Sequence, residues 1–418
     1  MVERVIFHIG MPKAGSTALQ NALEGYDDGE AFFARFGDAN HSRPLVTIFA
    51  NEPSSFTHWR KLGSSPEALD RKKRIDLQQL KADLARADRK TLILSAEMTA
   101  HLDADEQDAM IGFLIERAPR LEVVCYLRDP LSFAASALQQ RVKWDHACLP
   151  IDRDWIDPHY TARLARFESA LPASRIHVIP YLPQRFPNGS VVADFCQRFD
   201  LTPLEGSRAN ESLSLPVLRL MLAFNMSNRL SMGDQVLVRA RQALVAALSK
   251  GYAGSPPIEK DRFACLCAPE DLQDFRARAG DDAVTDMPVS KKTGTDALVA
   301  YLTDLDAVPR APLDQLLQEN GLTGRYPEIE QKLNRLFYHF VAQAGAEIGQ
   351  DPGRLTFADG DRLRDMSISI ARGETLGLDA ALDLMELAVR AKPNAQSLKD
   401  RCDDLRALLA KRGRAAGT

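Results

Sequence analysis

Scattered cysteines, no long apolar run and almost no excess charge narrow the possibilities for this 418-residue chain. The six cysteines fall at 125, 148, 196, 265, 267 and 402. Cys265 and Cys267 have no Cys/His cluster around them, so no zinc site is expected. No run of 18 apolar residues occurs, which removes a membrane span from the expectations. The formal net charge of −4 excludes wholesale nucleic-acid binding and makes any anion site a local affair. Residues 1–4 lead straight into an apolar run with no signal-peptide pattern, so a cytoplasmic protein with reduced thiols is expected. A chain 45% hydrophobic and 26% charged is an ordinary globular protein, long enough for two or three domains.

What is present begins at the N-terminus. Residues 5–9, Val-Ile-Phe-His-Ile, read as a strand buried in a parallel sheet. Gly10-Met-Pro-Lys-Ala-Gly15 reads as a tight loop stiffened by Pro12. Ser16 or Thr17 is placed to cap a helix running through Leu19, Ala22 and Leu23. Such a loop aims backbone N–H groups and a helix N-terminus at one point, which suits phosphate or sulfate. Gly10 and Gly15 match the start of G-x-x-x-x-G-K-[ST], but Ser16 stands where a nucleoside-triphosphate enzyme needs its lysine. The lysine here is Lys13, inside the loop.

Three more strands follow. Residues 91–94 form one that runs into Glu97 and His101, two candidate bases. Asp103 and Glu106 then form a capping box. Residues 121–127 end in Arg128-Asp129-Pro130, before a helix carrying Ser136. Residues 175–181 make the fourth. In open α/β sheets ligands bind beyond the carboxyl ends of the strands, so Lys13, Glu97 and Arg128 are expected on one edge. Between the first two strands, Phe32, Phe33, Phe36, Phe49, Phe56 and Trp59 are local core or an acceptor pocket. The basic run 71–74 opens a helix whose apolar face is Ile75, Leu80, Leu84 and Ala87.

These motifs resemble the sulfotransferase family. Pro12-Lys-Ala-Gly-Ser-Thr17 matches its 5′-phosphosulfate loop, P-K-[ST]-G-[ST]-[ST], at five of six places; Ala14 departs and removes one hydroxyl. Arg128 and Ser136 match a strand ending in R-x-P with a serine eight residues after the arginine, the family's 3′-phosphate motif. An arginine fork also suits a phosphate dianion on physical grounds. Glu97-Met-Thr-Ala-His-Leu102 loosely matches the E-K-[ST]-x-x-[YF] stretch that carries a catalytic glutamate in members acting on heparan-type sugars. The resemblance covers roughly residues 4–225. Residues 141–165, with Lys143, Trp144, Trp155, Asp157, His159 and Tyr160, resemble the variable part that covers the acceptor. Residues 207–214 resemble a loop that closes over the nucleotide, with Arg208 a further 3′-phosphate candidate.

The resemblance implies an α/β, P-loop-like open parallel sheet flanked by helices, over residues 1–225. A helical and loop extension spans 226–295, and a mostly helical C-terminal region spans 296–418. It further implies sulfuryl transfer from PAPS (3′-phosphoadenosine-5′-phosphosulfate), without metal, to a hydroxyl or amine of an acceptor, with a lean toward carbohydrate. Lys13 would be catalytic, with Glu97 or His101 as base. Pro12, Lys13, Ala14, Gly15, Ser16, Thr17, Ala18, Arg128, Ser136 and Arg208 would bind the cofactor. A kinase with a degenerate P-loop and a non-enzymatic nucleotide-binding scaffold are the alternatives. In the C-terminal region, Leu378, Ala381, Leu382, Met385, Ala388 and Val389 share a face. After Pro393, Leu398, Cys402, Leu405, Leu408 and Leu409 continue it. This pair resembles one tetratricopeptide-type hairpin and suggests packing or homo-oligomerisation; repeat arrays need about three units.

Overall fold

The computed structural model describes residues 1–56, 59, 65–144, 149–151, 156–205, 212–228, 235–280, 283, 294–322, 324, 326–347, 357–372 and 378–415. The chain divides into two compact units. The first comprises Met1–Leu138, Asp152–Glu211 and Glu259–Thr295; the second comprises Gln139–Ile151, Ser212–Ile258 and Asp296–Thr418.

The first unit is built on a five-stranded parallel sheet. In chain order its strands are β1 (Arg4–His8), β2 (Ala31–Phe33), β3 (Thr91–Ser95), β4 (Arg120–Leu127) and β5 (Ile176–Pro180). They lie in the order β2-β3-β1-β4-β5, every pair parallel. Val5, Ile6 and Phe7 of β1 have no exposed surface. Full burial of each such side chain is worth roughly 1.5–3 kcal/mol, which is why this apolar run takes the centre. Register pairs His8 with Ser95 and with Val124, so the ends of β1 and β3 are level. β2 was not foreseen: three residues, Ala-Phe-Phe, are too few to show a period.

Helices α1 (Ser16–Leu23), α2 (Ser42–Phe49), α3 (Pro66–Leu84), α4 (Ala104–Ile115), α5 (Pro130–Lys143), α6 (Tyr160–Ala170) and α7 (Val191–Arg198) follow. The capping box at the start of α4 forms as expected: Asp103 accepts from the Glu106 N–H, and Glu106 accepts from the Asp103 N–H. The cap expected for α1 does not. Gly15, in the left-handed conformation, is its N-cap, and the Ser16 hydroxyl donates instead to the Met11 carbonyl at 3.1 Å. On α3 the expected apolar face is rotated. Ile75 is exposed, while Leu69, Asp76, Leu80, Asp83 and Leu84 are buried. Asp76 is paired with Lys72, and Asp83 with Arg35, so both carboxylates on the inward face have a cation, although Asp76 Oδ2 accepts no hydrogen bond.

The N-terminal ends of the strands are tied by one carboxylate. Glu122, almost wholly buried on β4, accepts two hydrogen bonds of 2.9 Å from Arg4 and lies 2.9 Å from His177 Nε2. Arg120 also pairs with it.

The second unit is helical: α8 (Leu215–Ser227), α9 (Gln235–Gly251), α11 (Thr295–Thr303, apart from its first residue), α12 (Ala311–Glu319), α13 (Ile329–Glu347), α14 (Phe357–Arg372), α15 (Leu378–Ala391) and α16 (Gln396–Ala415); α10 (Pro269–Ala279) belongs to the first unit. Arg241 of α9 donates to the carbonyls of Val142 and Lys143 at the end of α5, satisfying acceptors the helix leaves open. On α15 the buried set is Leu378, Ala381, Leu384, Met385, Leu387 and Ala388. Leu382 and Val389 are only half-buried, so the expected stripe is displaced by part of a turn. No helix among the described residues is long and apolar enough to cross a membrane.

Candidate active site

Beyond the end of β1, Met11-Pro12-Lys13-Ala14 forms a turn closed by Ala14 N–H donating to the Met11 carbonyl at 3.2 Å. Proline at its second position and a positive φ at its third are the signature of a type II turn. The third residue is Lys13, at φ 68°. Glycine is the natural occupant of that conformation; a lysine there costs backbone energy of order 1 kcal/mol or more, and such outliers gather at functional sites. The first hydrogen bond of α1 runs from Leu19 N–H to Gly15 carbonyl, so the amides of Ser16, Thr17 and Ala18 have no acceptor within the helix. They carry the positive end of the helix dipole. Pro12 and Lys13 are half-buried, Ala14 and Ser16 buried, and Thr17 exposed.

Glycines hold this loop against its neighbours. Gly10 has φ 55°, and a Cβ there would sit 2.9 Å from Glu97 Cβ and 3.0 Å from Ser16 Oγ. A Cβ on Gly15 would sit 2.8 Å from Val191 Cγ1 and 3.1 Å from a ring carbon of Tyr181. The loop thus lies directly against Glu97, which opens a short 3-10 turn, Glu97–His101, after β3. Burial raises the Glu97 carboxyl above the ordinary glutamate value; the Ser16 hydroxyl, Arg163 and Lys13 pull it back in part.

His101 ends the same turn, roughly 8 Å further on at 2 Å per residue. It is exposed, and surrounding protein, Arg163 and His159 hold its imidazole below the usual value. Among the described residues no hydrogen bond or ion pair joins it to the loop. It lines instead a cavity of about 310 Å³ with Asn51, Glu52, Ser55, Phe56 and Glu106. Of the six aromatic residues between the first two strands of the sequence reading, Phe56 alone lines this cavity, whereas Phe32, Phe33 and Trp59 are core.

Arg128 follows β4. Its Nη1 donates to the Lys13 carbonyl at 2.6 Å, and its guanidinium lies 5.9 Å from the Tyr181 ring centre. Its own carbonyl accepts from the Tyr160 hydroxyl. The arginine is therefore a clamp on the lysine turn as well as a cation. Asp129 does not pair with it; its carboxylate caps α5 by accepting from Ser132 N–H at 2.8 Å. Burial lowers the Arg128 guanidinium somewhat, with Asp129, Tyr181 and Tyr160 acting against that. Ser136 lies in the second turn of α5, nearly buried and without a hydrogen bond to Arg128. Arg208 lies outside the described residues, as does Trp155.

Beneath the site, Ser95 is held from three sides. Its hydroxyl lies 2.8 Å from His8 Nδ1 and accepts from Gln20 at 3.2 Å; its N–H donates to His41 Nδ1 at 3.2 Å. Burial holds both imidazoles down at about 3, and neither Nε2 has a partner. Among the described residues no group of three or more His, Cys, Asp or Glu could hold a metal ion.

No protein-family model matches the sequence, and no curated protein does. Among solved structures, the sulfotransferase domain from the curacin biosynthetic pathway matches with 11% identity, over 84% of this chain and 99% of that one, at a TM-score of 0.29. A likeness that slight carries no argument; the site rests on its own geometry.

Two residues were passed over in the sequence. Arg163 sits among Tyr160, Leu164 and Phe167 on the buried stripe of α6, an arginine at a core position, and that interruption of the pattern was readable. Lys260 comes from a distant segment of the first unit; Arg128 depresses its ammonium and Asp129 acts the other way, after the larger effect of burial. No local signal could have placed it there.

Proposed function

We propose that this protein is a sulfotransferase that uses PAPS as donor. The observation that carries the reading is the clamp: a lysine held at positive φ on a phosphate-type loop, pinned by the strand-end Arg128, with the same loop packed against Glu97. The kinase alternative would need a lysine where Ser16 stands.

In this reading the amides of Ser16, Thr17 and Ala18 bind the 5′-phosphosulfate. Lys13 stabilises charge on the bridging and sulfuryl oxygens as the sulfur–oxygen bond to the 5′-phosphate breaks. The acceptor oxygen or nitrogen attacks sulfur in line, and its proton passes to Glu97. The products are adenosine-3′,5′-bisphosphate and the sulfated acceptor. Most of the rate comes from positioning and electrostatics. Glu97 is favoured over His101 as base because it is the one packed against the loop. Arg128, Ser136 and Lys260 are the candidates for the 3′-phosphate.

Titration calorimetry with adenosine-3′,5′-bisphosphate, against ATP with Mg²⁺, tests the donor. Bisphosphate binding that weakens ten- to a hundredfold in Arg128→Ala is expected. ATP·Mg²⁺ binding without bisphosphate binding would overturn the reading.

A further inference from the structure

Arg163 is a charged side chain in an apolar stripe. It is 5% exposed, on α6, and among the described residues it makes no ion pair. Its Nε donates to the Pro158 carbonyl at 3.3 Å and its Nη1 to the Glu97 carbonyl at 3.2 Å. Desolvating a guanidinium costs several kcal/mol, and two carbonyls return only part of that. A leucine would fill the stripe at no such cost. What the arginine adds is a fixed positive charge under the turn that presents Glu97.

We propose that Arg163 is a positioning residue for Glu97: its hydrogen bond fixes the start of the Glu97–His101 turn against the lysine loop, and its charge favours the carboxylate as the proton-accepting form. This rests on the reading of Glu97 as base. Lys13 and Ser16 from the loop and α1, together with Arg163 from α6, bear on the carboxylate. His101 and His159 are the further titratable groups nearby. Around the guanidinium itself are the buried Cys125 thiol, whose value is pushed up to about 12, Asp157 and Glu97. The thiol is neutral at working pH, so it does not cancel the charge that reaches Glu97. Lys13 lies on the loop read as the donor site, whereas Arg163 comes from α6 and is held by the Pro158 and Glu97 carbonyls.

The test is the titration of Glu97 in the full-length protein without substrates, followed by carboxylate infrared difference spectroscopy with Glu97→Gln identifying the band. In Arg163→Gln, which keeps a donor for one carbonyl but removes the charge, the midpoint should move to higher pH. In Arg163→Lys, which keeps the charge but not the fork, it should stay near that of the parent. If both variants fold and both titrate Glu97 like the parent, the proposal is overturned. In turnover assays the acid limb of kcat should follow the spectroscopic midpoint, so that Arg163→Gln loses more activity on the acid side of the profile than on its alkaline plateau. A shifted midpoint in a protein that transfers no sulfuryl group would support the role of Arg163 and refute the sulfotransferase reading. An unshifted midpoint in an active enzyme would do the reverse.

Discussion

Two desolvated glutamates at opposite ends of the same sheet, Glu122 buried and Glu97 half-buried, behave in opposite ways. Glu122 lies toward the N-terminal ends of the strands. Burial pushes its carboxyl up, but hydrogen bonds from Arg4 and His177 and the charge of Arg120 more than offset this and hold it below the ordinary glutamate value. Glu97 lies just past the C-terminal end of β3. It too is desolvated, but a hydroxyl and two cations pull it back only in part, so its carboxyl stays raised. The first arrangement neutralises a charge and joins β1, β4 and β5. The second leaves a carboxylate with affinity for a proton. Desolvation raises both carboxyls, so the difference between them lies in how many donors and cations each one meets.

The comparison can be broken at several points. The largest effect is expected at Lys13→Ala and Glu97→Gln. Each should lower kcat by about 10²–10⁴-fold, measured with saturating donor, while melting temperature stays within a few degrees of the parent. Near-normal turnover in a folded Lys13→Ala protein would sink the mechanism. Glu122→Gln should do the opposite: a loss of stability of about 1–3 kcal/mol in denaturant titration, because half-buried Arg4 loses its carboxylate partner while Arg120 stays largely solvated, with little change in kcat of the folded fraction. Gly10→Ala should fall between, losing about tenfold in kcat and about 1–3 kcal/mol, since the new methyl meets both a positive φ and Glu97.

Acidity should separate the two ends again. Glu97 is raised, so activity that needs its ionised form should fall on the acid side at a pH above that of an ordinary glutamate. His8 and His41 are depressed to about 3, so their contribution to stability is complete above the unfolded value of 6.5 and is lost progressively as pH falls from there. Glu122, also depressed, adds its own loss only below the ordinary glutamate range. Melting temperature followed from pH 7.5 to 2.5 should therefore decline in two stages, the histidine stage first. Replacing His41 by Phe should flatten the first stage by a few degrees, the smallest of these effects.

The sheet and the edge that carries Lys13, Glu97 and Arg128 were legible because apolar runs and the residues after them are local signals. Val5, Ile6 and Phe7 declare a buried strand, and Glu97 and Arg128 come immediately after two others. The role of Arg128 as a clamp on Lys13 was not legible, since it depends on a carbonyl 115 positions away in the chain. Its chain neighbour Asp129 is a helix cap, because a carboxylate one residue before a helix finds the free amides of that helix first. Ile75 was misplaced because the inward face of α3 carries paired aspartates, which a search for apolar spacing skips. His8 and His41 gave no sign of the buried network they form around Ser95, which requires three separate segments to meet.

The left-handed backbone at Lys13 has a consequence for any attempt to harden this protein. Glycine relaxes that position, so Lys13→Gly is a substitution that selection for heat resistance alone would favour. In the proposed mechanism it would also delete the charge that acts on the transferred group. Stability and chemistry are set against each other at a single residue, and a library screened by melting temperature without an activity readout would converge on the inert form.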